Sequence, residues 1–138
     1  MKLFKTLSII CLIFVTQNVM SKNYLLYSTE RENSKGILVK KVMEIPENKL
    51  AEQPKINLFK QDVPFLPGQA VKAAHKKFQD LYNRDPLGIF AVTLKVMSVP
   101  RSEFDDIVYY DVRFYDRDSS NFVVLMDGSV YFETNLSD

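Results

Sequence analysis

Residues 107–133 read IVYYDVRFYDRDSSNFVVLMDGSVYFE and contain three strand-like segments separated by turn residues. The segments are Ile107–Asp116, Phe122–Met126 and Ser129–Glu133. Apolar and polar side chains alternate along the first segment, which is typical of a strand with one face on a core. Asp127-Gly128 predicts a two-residue hairpin turn, because both residue types accept the positive φ that such a turn requires. The stretch therefore predicts an antiparallel meander.

The alternation divides the first of these strands into two faces. One face carries Val108, Tyr110, Val112 and Phe114. The other carries Tyr109, Asp111, Arg113 and Tyr115. Tyrosine and arginine are enriched at protein interfaces, so we interpret the second face as a candidate partner-binding surface. The alternative interpretation is an ordinary solvated sheet face with an Asp–Arg pair.

A further strand is predicted immediately upstream, at Ile89–Val99, before Pro100. Its alternation places Phe90, Val92, Leu94 and Val96 on one face. The opposite face holds Thr93, Lys95 and Met97. If this strand pairs with the next one, these three residues lie beside the tyrosines, and we therefore add Lys95 to the candidate surface.

The clearest helix is predicted between Pro67 and Tyr82, where apolar residues recur at spacings of three and four. The apolar stripe consists of Ala70, Val71, Ala74, Phe78, Leu81 and Tyr82. Proline suits the first turn of a helix, where its missing N–H costs nothing, and Pro86 ends the helical pattern. Because the alanines on the stripe allow close approach, we expect the helix to lie on one face of a sheet.

The segment before the helix holds one predicted strand, Ile37–Ile45, which ends at Pro46. The proline-rich stretch Glu47–Pro67 is interpreted mainly as loop, and the mostly polar Lys22–Lys35 as a loose lead-in. The order of strand, loop, helix and meander predicts an α+β domain with one main helix packed on an antiparallel β-meander.

The N-terminus predicts a cleaved signal peptide over residues 1–21. Lys2 and Lys5 supply positive charge, Leu7–Val15 is a short apolar run, and Ser21 is an acceptable residue before a cut. The apolar run is shorter than the roughly 20 residues that a membrane span needs. We therefore expect residues 22–138 to form a single domain that is periplasmic or secreted, in a bacterial envelope, without a stable membrane anchor.

The composition limits the chemistry that this domain offers. The chain has 18 Lys and Arg against 17 Asp and Glu, which does not indicate nucleic-acid binding. The single cysteine, Cys11, lies in the predicted signal peptide, so the predicted domain offers no thiol nucleophile and no thiolate metal ligand.

Two isolated features suggest specific chemistry only weakly. His75 is the only histidine, and neither an orienting carboxylate nor a nucleophile is apparent beside it in the sequence. Asp116-x-Asp118-x-Ser120 has part of the spacing of a calcium loop but lacks its glycine and closing glutamate, so we interpret it as a solvated turn. The expectation is a protein with no enzymatic activity, no cofactor and no metal.

Three stretches resemble the PepSY-like domains of exported bacterial proteins. They are the helix opening Leu66–Ala74, the strand Ile107–Phe114 and the hairpin Phe122–Val130, whose turn is tighter than is usual in that family. The likeness covers residues 66–133. It implies an α+β fold with a helix on an antiparallel sheet, and a binding or inhibitory role associated with peptidases and the cell envelope rather than catalysis.

Cystatins are similar in architecture, since they also pack a helix on an antiparallel sheet. Their protease-binding loop has the pattern Gln-x-Val-x-Gly, and Gln61–Phe65 begins in the same way. The stretch lacks the glycine and precedes the helix, so we interpret the match as coincidence.

Together these observations predict an exported binding module that binds or inhibits a protein or peptide partner, such as an envelope peptidase. An immunity-type protein that neutralises a toxin in the periplasm is one alternative. A hydrolase or small-ligand carrier is another, and it would need a large pocket with convergent polar groups. An exposed strand edge would also be able to pair with a second copy or a peptide, although the sequence does not identify that edge.

Overall fold

The computed structural model describes residues 22–33, 35–97, 107–116 and 120–136, and the predicted signal peptide lies outside them. Within these residues the chain forms seven strands and two helices, and the α+β class predicted from the sequence is confirmed. The elements are β1 (Asn23–Glu32), β2 (Leu38–Pro46), α1 (Glu47–Ala51), α2 (Pro67–Tyr82), β3 (Gly88–Val96), β4 (Val108–Tyr115), β5 (Ser120–Leu125), β6 (Val130–Phe132) and β7 (Thr134–Asn135).

The main sheet is an antiparallel meander of four strands in the order β3-β4-β5-β6, as the alternation predicts. The predicted two-residue turn is wrong. The Leu125 amide donates to the Ser129 carbonyl, so the loop contains three residues, Met126 to Gly128. Gly128 closes the loop with a φ of +84°, a conformation that glycine adopts without the steric cost other residues meet.

Helix α2 covers one face of the main sheet and has the predicted bounds. The Leu66 amide donates to the Gln69 side chain at its start, and Asn83 closes it in the left-handed conformation with a φ of 51°. Ala70, Ala74 and Phe78 are buried against the apolar side of β4 and β5. Leu81 and Tyr82, which the stripe predicts as buried, are exposed, because they lie in the last turn of the helix, at its C-terminal end.

The second sheet has the order β1-β2-β7 and packs on the other face of the main sheet. The interpretation of residues 22–35 as a loose lead-in is wrong, because most of them form β1. Residues 47–51, interpreted as loop, form α1. A buried cluster joins the β1–β2 hairpin and α1 to the main sheet. It contains Met43, Ile45 and Leu50 from the hairpin and helix, Ile107 directly before β4, and Val123 and Leu125 of β5.

The C-terminal segment connects the two sheets. Strand β6 pairs with β5 of the main sheet, β7 pairs with β2 of the second sheet, and Glu133 is the residue between them. The chain therefore changes sheets at this residue. Across the described ranges, no helix has the length and apolar character needed to cross a membrane.

Candidate functional site

Asp111 is the buried centre of a charged cluster on the outer face of the main sheet, the face away from α2. Its carboxylate lies 2.5 Å from the Lys95 ammonium and 3.0 Å from the Arg113 guanidinium. Strand register explains the grouping, because Asp111 is opposite Thr93 and both cations lie two residues away on the same face. We call Lys95, Asp111 and Arg113 the Asp111 cluster.

Burial differs sharply within the Asp111 cluster. The carboxylate side chain is 3% exposed, whereas the side chains of Lys95 and Arg113 are 36% and 43% exposed. Burial alone raises the pKa of Asp111. The hydrogen bonds from Arg113 and Lys95, together with their charges, outweigh burial and hold that pKa below its ordinary value. The cluster therefore presents two positioned cations with a surplus of one positive charge to solvent.

Tyr109 lies on the same face but is removed from the surface. The hairpin of β1 and β2 covers it, and it is 7% exposed. Burial, followed by the nearby charge of Asp111, raises its pKa to about 12. The expectation that Tyr109 contacts a partner requires an open outer face, and at this end of the sheet the face is closed. Asp111 is likewise buried, and only the two cations that it holds reach the surface.

Tyr115 lies at the open end of the same face and is 64% exposed. Its cross-strand neighbour is Gly88, and the residues around that glycine are apolar and exposed: Leu87, Ile89 and Phe90. We call Tyr115 and these three residues the apolar rim. These side chains surround one end of the main sheet, with Tyr115 on the outer face and Ile89, opposite Phe114, on the helix side. Several large exposed apolar side chains at one end of a sheet are typical of an interaction site.

A β-bulge creates part of the apolar rim. The pairing of β3 with β4 shifts between Ile89 and Ala91, which leaves Phe90 as an extra residue without a cross-strand partner. Ile89, rather than Phe90, therefore lies opposite Phe114. Strict alternation groups Phe90 with Val92, Leu94 and Val96, and the bulge interrupts that alternation at Phe90. Phe90 is 68% exposed.

A second polar cluster, which the sequence did not reveal, lies at the residue where the chain changes sheets. Glu133 Oε1 accepts hydrogen bonds from the Tyr27 hydroxyl at 3.0 Å and from Asn121 Nδ2 at 2.9 Å, and Arg31 lies 3.4 Å away. The Glu133 side chain is almost fully buried. Burial, followed by the charge of Glu133, raises the pKa of Tyr27 well above its ordinary value. The cluster fastens β1 to the main sheet.

A cleft beside Glu133 is too small for an organic ligand. Its volume is about 10 Å³, close to the minimum for one water molecule. Its lining consists of Lys41, Tyr82, Ser120, Asn121, Phe122, Phe132 and Glu133. The cleft is therefore not the large pocket that a small-ligand carrier needs.

His75 and Asp116 both have ion-pair partners. His75 Nε2 lies 2.9 Å from Asp85, a carboxylate that the sequence did not place beside it, and both side chains are substantially exposed. Asp116 accepts two hydrogen bonds from Arg84, one on each carboxylate oxygen and each at 2.7 Å. Asp118 lies outside the described residues. Within the described parts of the chain, no three His, Cys, Asp or Glu side chains are grouped so as to hold a metal ion.

Comparison of the chain with known protein families, with curated proteins and with solved structures gave no match. Function must therefore be inferred from the geometry of the surfaces described above.

Proposed function

We propose that this protein is an exported, non-enzymatic binding module that binds or inhibits a protein or peptide partner, such as an envelope peptidase. The contact surface consists of the apolar rim and the two cations of the Asp111 cluster. Export through a signal peptide and kinship with PepSY-like domains are parts of the same proposal.

The observation that carries this proposal is the junction of the apolar rim with the Asp111 cluster. Arg113 lies opposite Ala91, directly beside the bulge at Phe90, and Tyr115 is two residues further along β4. Energetically dominant contacts in protein interfaces are enriched in tyrosine and arginine, which combine apolar area with hydrogen bonding. This end of the sheet offers both residue types with exposed side chains.

Asp111 gives these cations a defined position before any partner arrives. A cation that is already held loses less conformational freedom on binding than a free one. Because one carboxylate serves two cations, the surface keeps a positive surplus and favours a partner that presents a carboxylate or backbone carbonyl groups.

Support for a binding role over catalysis comes from the setting of the titratable groups. The His75–Asp85 pair lies on an exposed helix surface, whereas a general base needs a substrate held against it. The Asp111 carboxylate is held by two cations. The exposed pair and the ion-paired carboxylate therefore support the binding role.

The proposal is tested by capture from the native envelope fraction. The double variant Tyr115→Ala/Arg113→Ala removes one residue of the apolar rim and one cation of the Asp111 cluster, and it should lose a partner that the wild-type protein retains. Lys76→Ala, on the exposed side of α2, is the matched control and should retain that partner.

Mass spectrometry of the retained protein then separates the mechanisms. A retained peptidase supports the proposed peptidase partner, and a retained toxin supports the immunity alternative. Equal recovery of every protein by wild-type chain and double variant would contradict the proposed surface.

A further inference from the structure

Strand β3 has an open edge. It pairs with β4 on one side, and no described strand pairs with it on the other. Met97, the residue after β3, donates its amide hydrogen to the Ile107 carbonyl at 2.7 Å. The backbone N–H and C=O groups of Met97 therefore point toward the β4 side. Because backbone groups alternate in direction along a strand, the N–H and C=O groups of Lys95 and Thr93 also point toward β4. The N–H and C=O groups of Val92, Leu94 and Val96 therefore point outward.

Lys95, the only charged residue of β3, does not place its charge at the open edge of the strand. A lysine on an edge strand ordinarily discourages pairing with other chains. Lys95 instead lies across the sheet with its ammonium on Asp111, which belongs to β4. The cation is therefore drawn away from the open edge, which remains apolar in its side chains.

The usable edge is short and symmetric. The bulge at Phe90 interrupts it at one end, which leaves the regular segment Val92–Val96. Valine stands at both ends of this segment and leucine at its centre, and Leu94 is 37% exposed. The three positions whose backbone groups point outward, Val92, Leu94 and Val96, read alike in both directions and therefore match an antiparallel copy of this strand.

We propose that a second copy of this chain pairs with β3 through the open edge, antiparallel and centred on Leu94. In this register Leu94 faces Leu94 of the other copy and Val92 faces Val96, so outward-pointing backbone groups meet in hydrogen-bonded pairs. Lys95 faces Thr93 rather than another lysine, which avoids the repulsion of like charges directly opposite. The two main sheets become one continuous sheet.

This dimer goes beyond the proposed partner binding and uses a different surface. Its side-chain contacts lie on the helix side of β3, whereas the Asp111 cluster lies on the outer face. The paired segment is short, so the interface falls at the small end of specific interfaces. The dimer should therefore dissociate on dilution, with a dissociation constant on the order of 10–100 µM.

The test is sedimentation velocity over a concentration series, on protein purified after expression of the full chain. The wild-type protein should shift from monomer to dimer as its concentration rises. Leu94→Lys and Leu94→Glu should each remain monomeric, because each places like charges at the symmetry axis. An equimolar mixture of the two variants should recover the dimer, since residue 94 then faces its opposite charge.

The control is Tyr115→Ala, which alters the outer face and should dimerise like the wild type. Recovery in the mixture also shows that both charged variants are folded. A wild-type protein that stays monomeric up to about 1 mM overturns the proposal. So does a dimer that survives both charged variants. Neither result affects the partner-capture test, which reads a different surface.

Discussion

Two of the edge strands, β1 of the second sheet and β3 of the main sheet, differ in how charge is placed along their open sides. Strand β1 carries Glu30 and Glu32 with exposed side chains. A second copy pairing there would bring carboxylates together, which is a common protection against edge association. Strand β3 is mostly apolar, and its single cation is bound to Asp111. If the proposed dimer forms, the comparison teaches that the position of a charge, and not only its presence, decides whether an edge strand pairs with another chain.

Among the variants that alter the two edges, Asp111→Asn is expected to have the largest effect on stability and on pairing through β3. The variant removes the only carboxylate that Lys95 and Arg113 share in the cluster, and we expect the free energy of unfolding to fall by about 2 kcal/mol, less than for a fully buried pair because both cations are partly exposed. It also releases Lys95 toward the open edge, so dimerisation should weaken by roughly tenfold. Urea unfolding and sedimentation measure the two effects.

The matched control for this variant is Asp80→Asn, which removes an exposed carboxylate that pairs with Lys76 on α2. Little change is expected there. A loss of stability in Asp111→Asn without any change in dimerisation would contradict the idea that Asp111 restrains the lysine at the edge.

Glu133→Gln is expected to have the next largest effect on the free energy of unfolding, because Glu133 holds β1 against the main sheet. The substitution keeps the side-chain shape but removes the charge that Tyr27, Asn121 and Arg31 surround. We expect a loss of about 1–2 kcal/mol in the free energy of unfolding. Amide exchange should also accelerate in β1 before it does in β4. Uniform acceleration in both strands would show that Glu133 does not fasten β1 specifically.

The pH dependence of the free energy of unfolding tests whether the β1–β2 hairpin buries Tyr109. Burial raises the pKa of Tyr109 from 10.0 to about 12. The folded state thus keeps the phenol protonated where the unfolded state ionises it. The stabilisation is present below pH 10 and is lost as pH rises toward 12, by roughly 1 kcal/mol between pH 10 and 11. Urea unfolding should show a shallower alkaline decline for Tyr109→Phe, and identical slopes would contradict this burial.

The smallest effect on stability is expected from Glu30→Thr/Glu32→Thr. These side chains are exposed, so the free energy of unfolding should change by less than about 0.5 kcal/mol. In a Leu94→Lys background, where β3 cannot pair, the two changes should nevertheless promote association through β1. Sedimentation that shows only monomer would mean that charge is not what protects this edge.

Local patterns predicted the helix and the meander because their signals repeat within a few residues. The three- and four-residue spacing of Ala70, Ala74 and Phe78 leads directly to the observed helix face. The alternation in residues 107–116 likewise separates the helix-facing side of β4 from the outer side. These features needed no information about distant parts of the chain.

The cover on the outer face could not be predicted in this way. Tyr24, Leu25, Leu26 and Tyr27 form a short apolar stretch in an otherwise mostly polar segment. They become strand residues because β1 pairs with β2 and packs on the main sheet. This docking joins segments about 80 residues apart and decides that Tyr109 is buried while Tyr115 is exposed. The alternation therefore predicted which residues of β4 share the outer face, but the apolar rim depends on a bulge and the closed end of that face on long-range packing.

The most direct test of the difference between the two edges is amide hydrogen exchange of the wild-type protein at low and high concentration, read residue by residue by NMR. The amides of Thr93 and Lys95 point toward β4 and should be protected at both concentrations. The amides of Val92, Leu94 and Val96 should exchange rapidly in dilute protein and become protected as concentration rises, whereas the open side of β1 should not change. Protection of Leu94 that is independent of concentration, or absent throughout, would contradict pairing of β3 with a second copy.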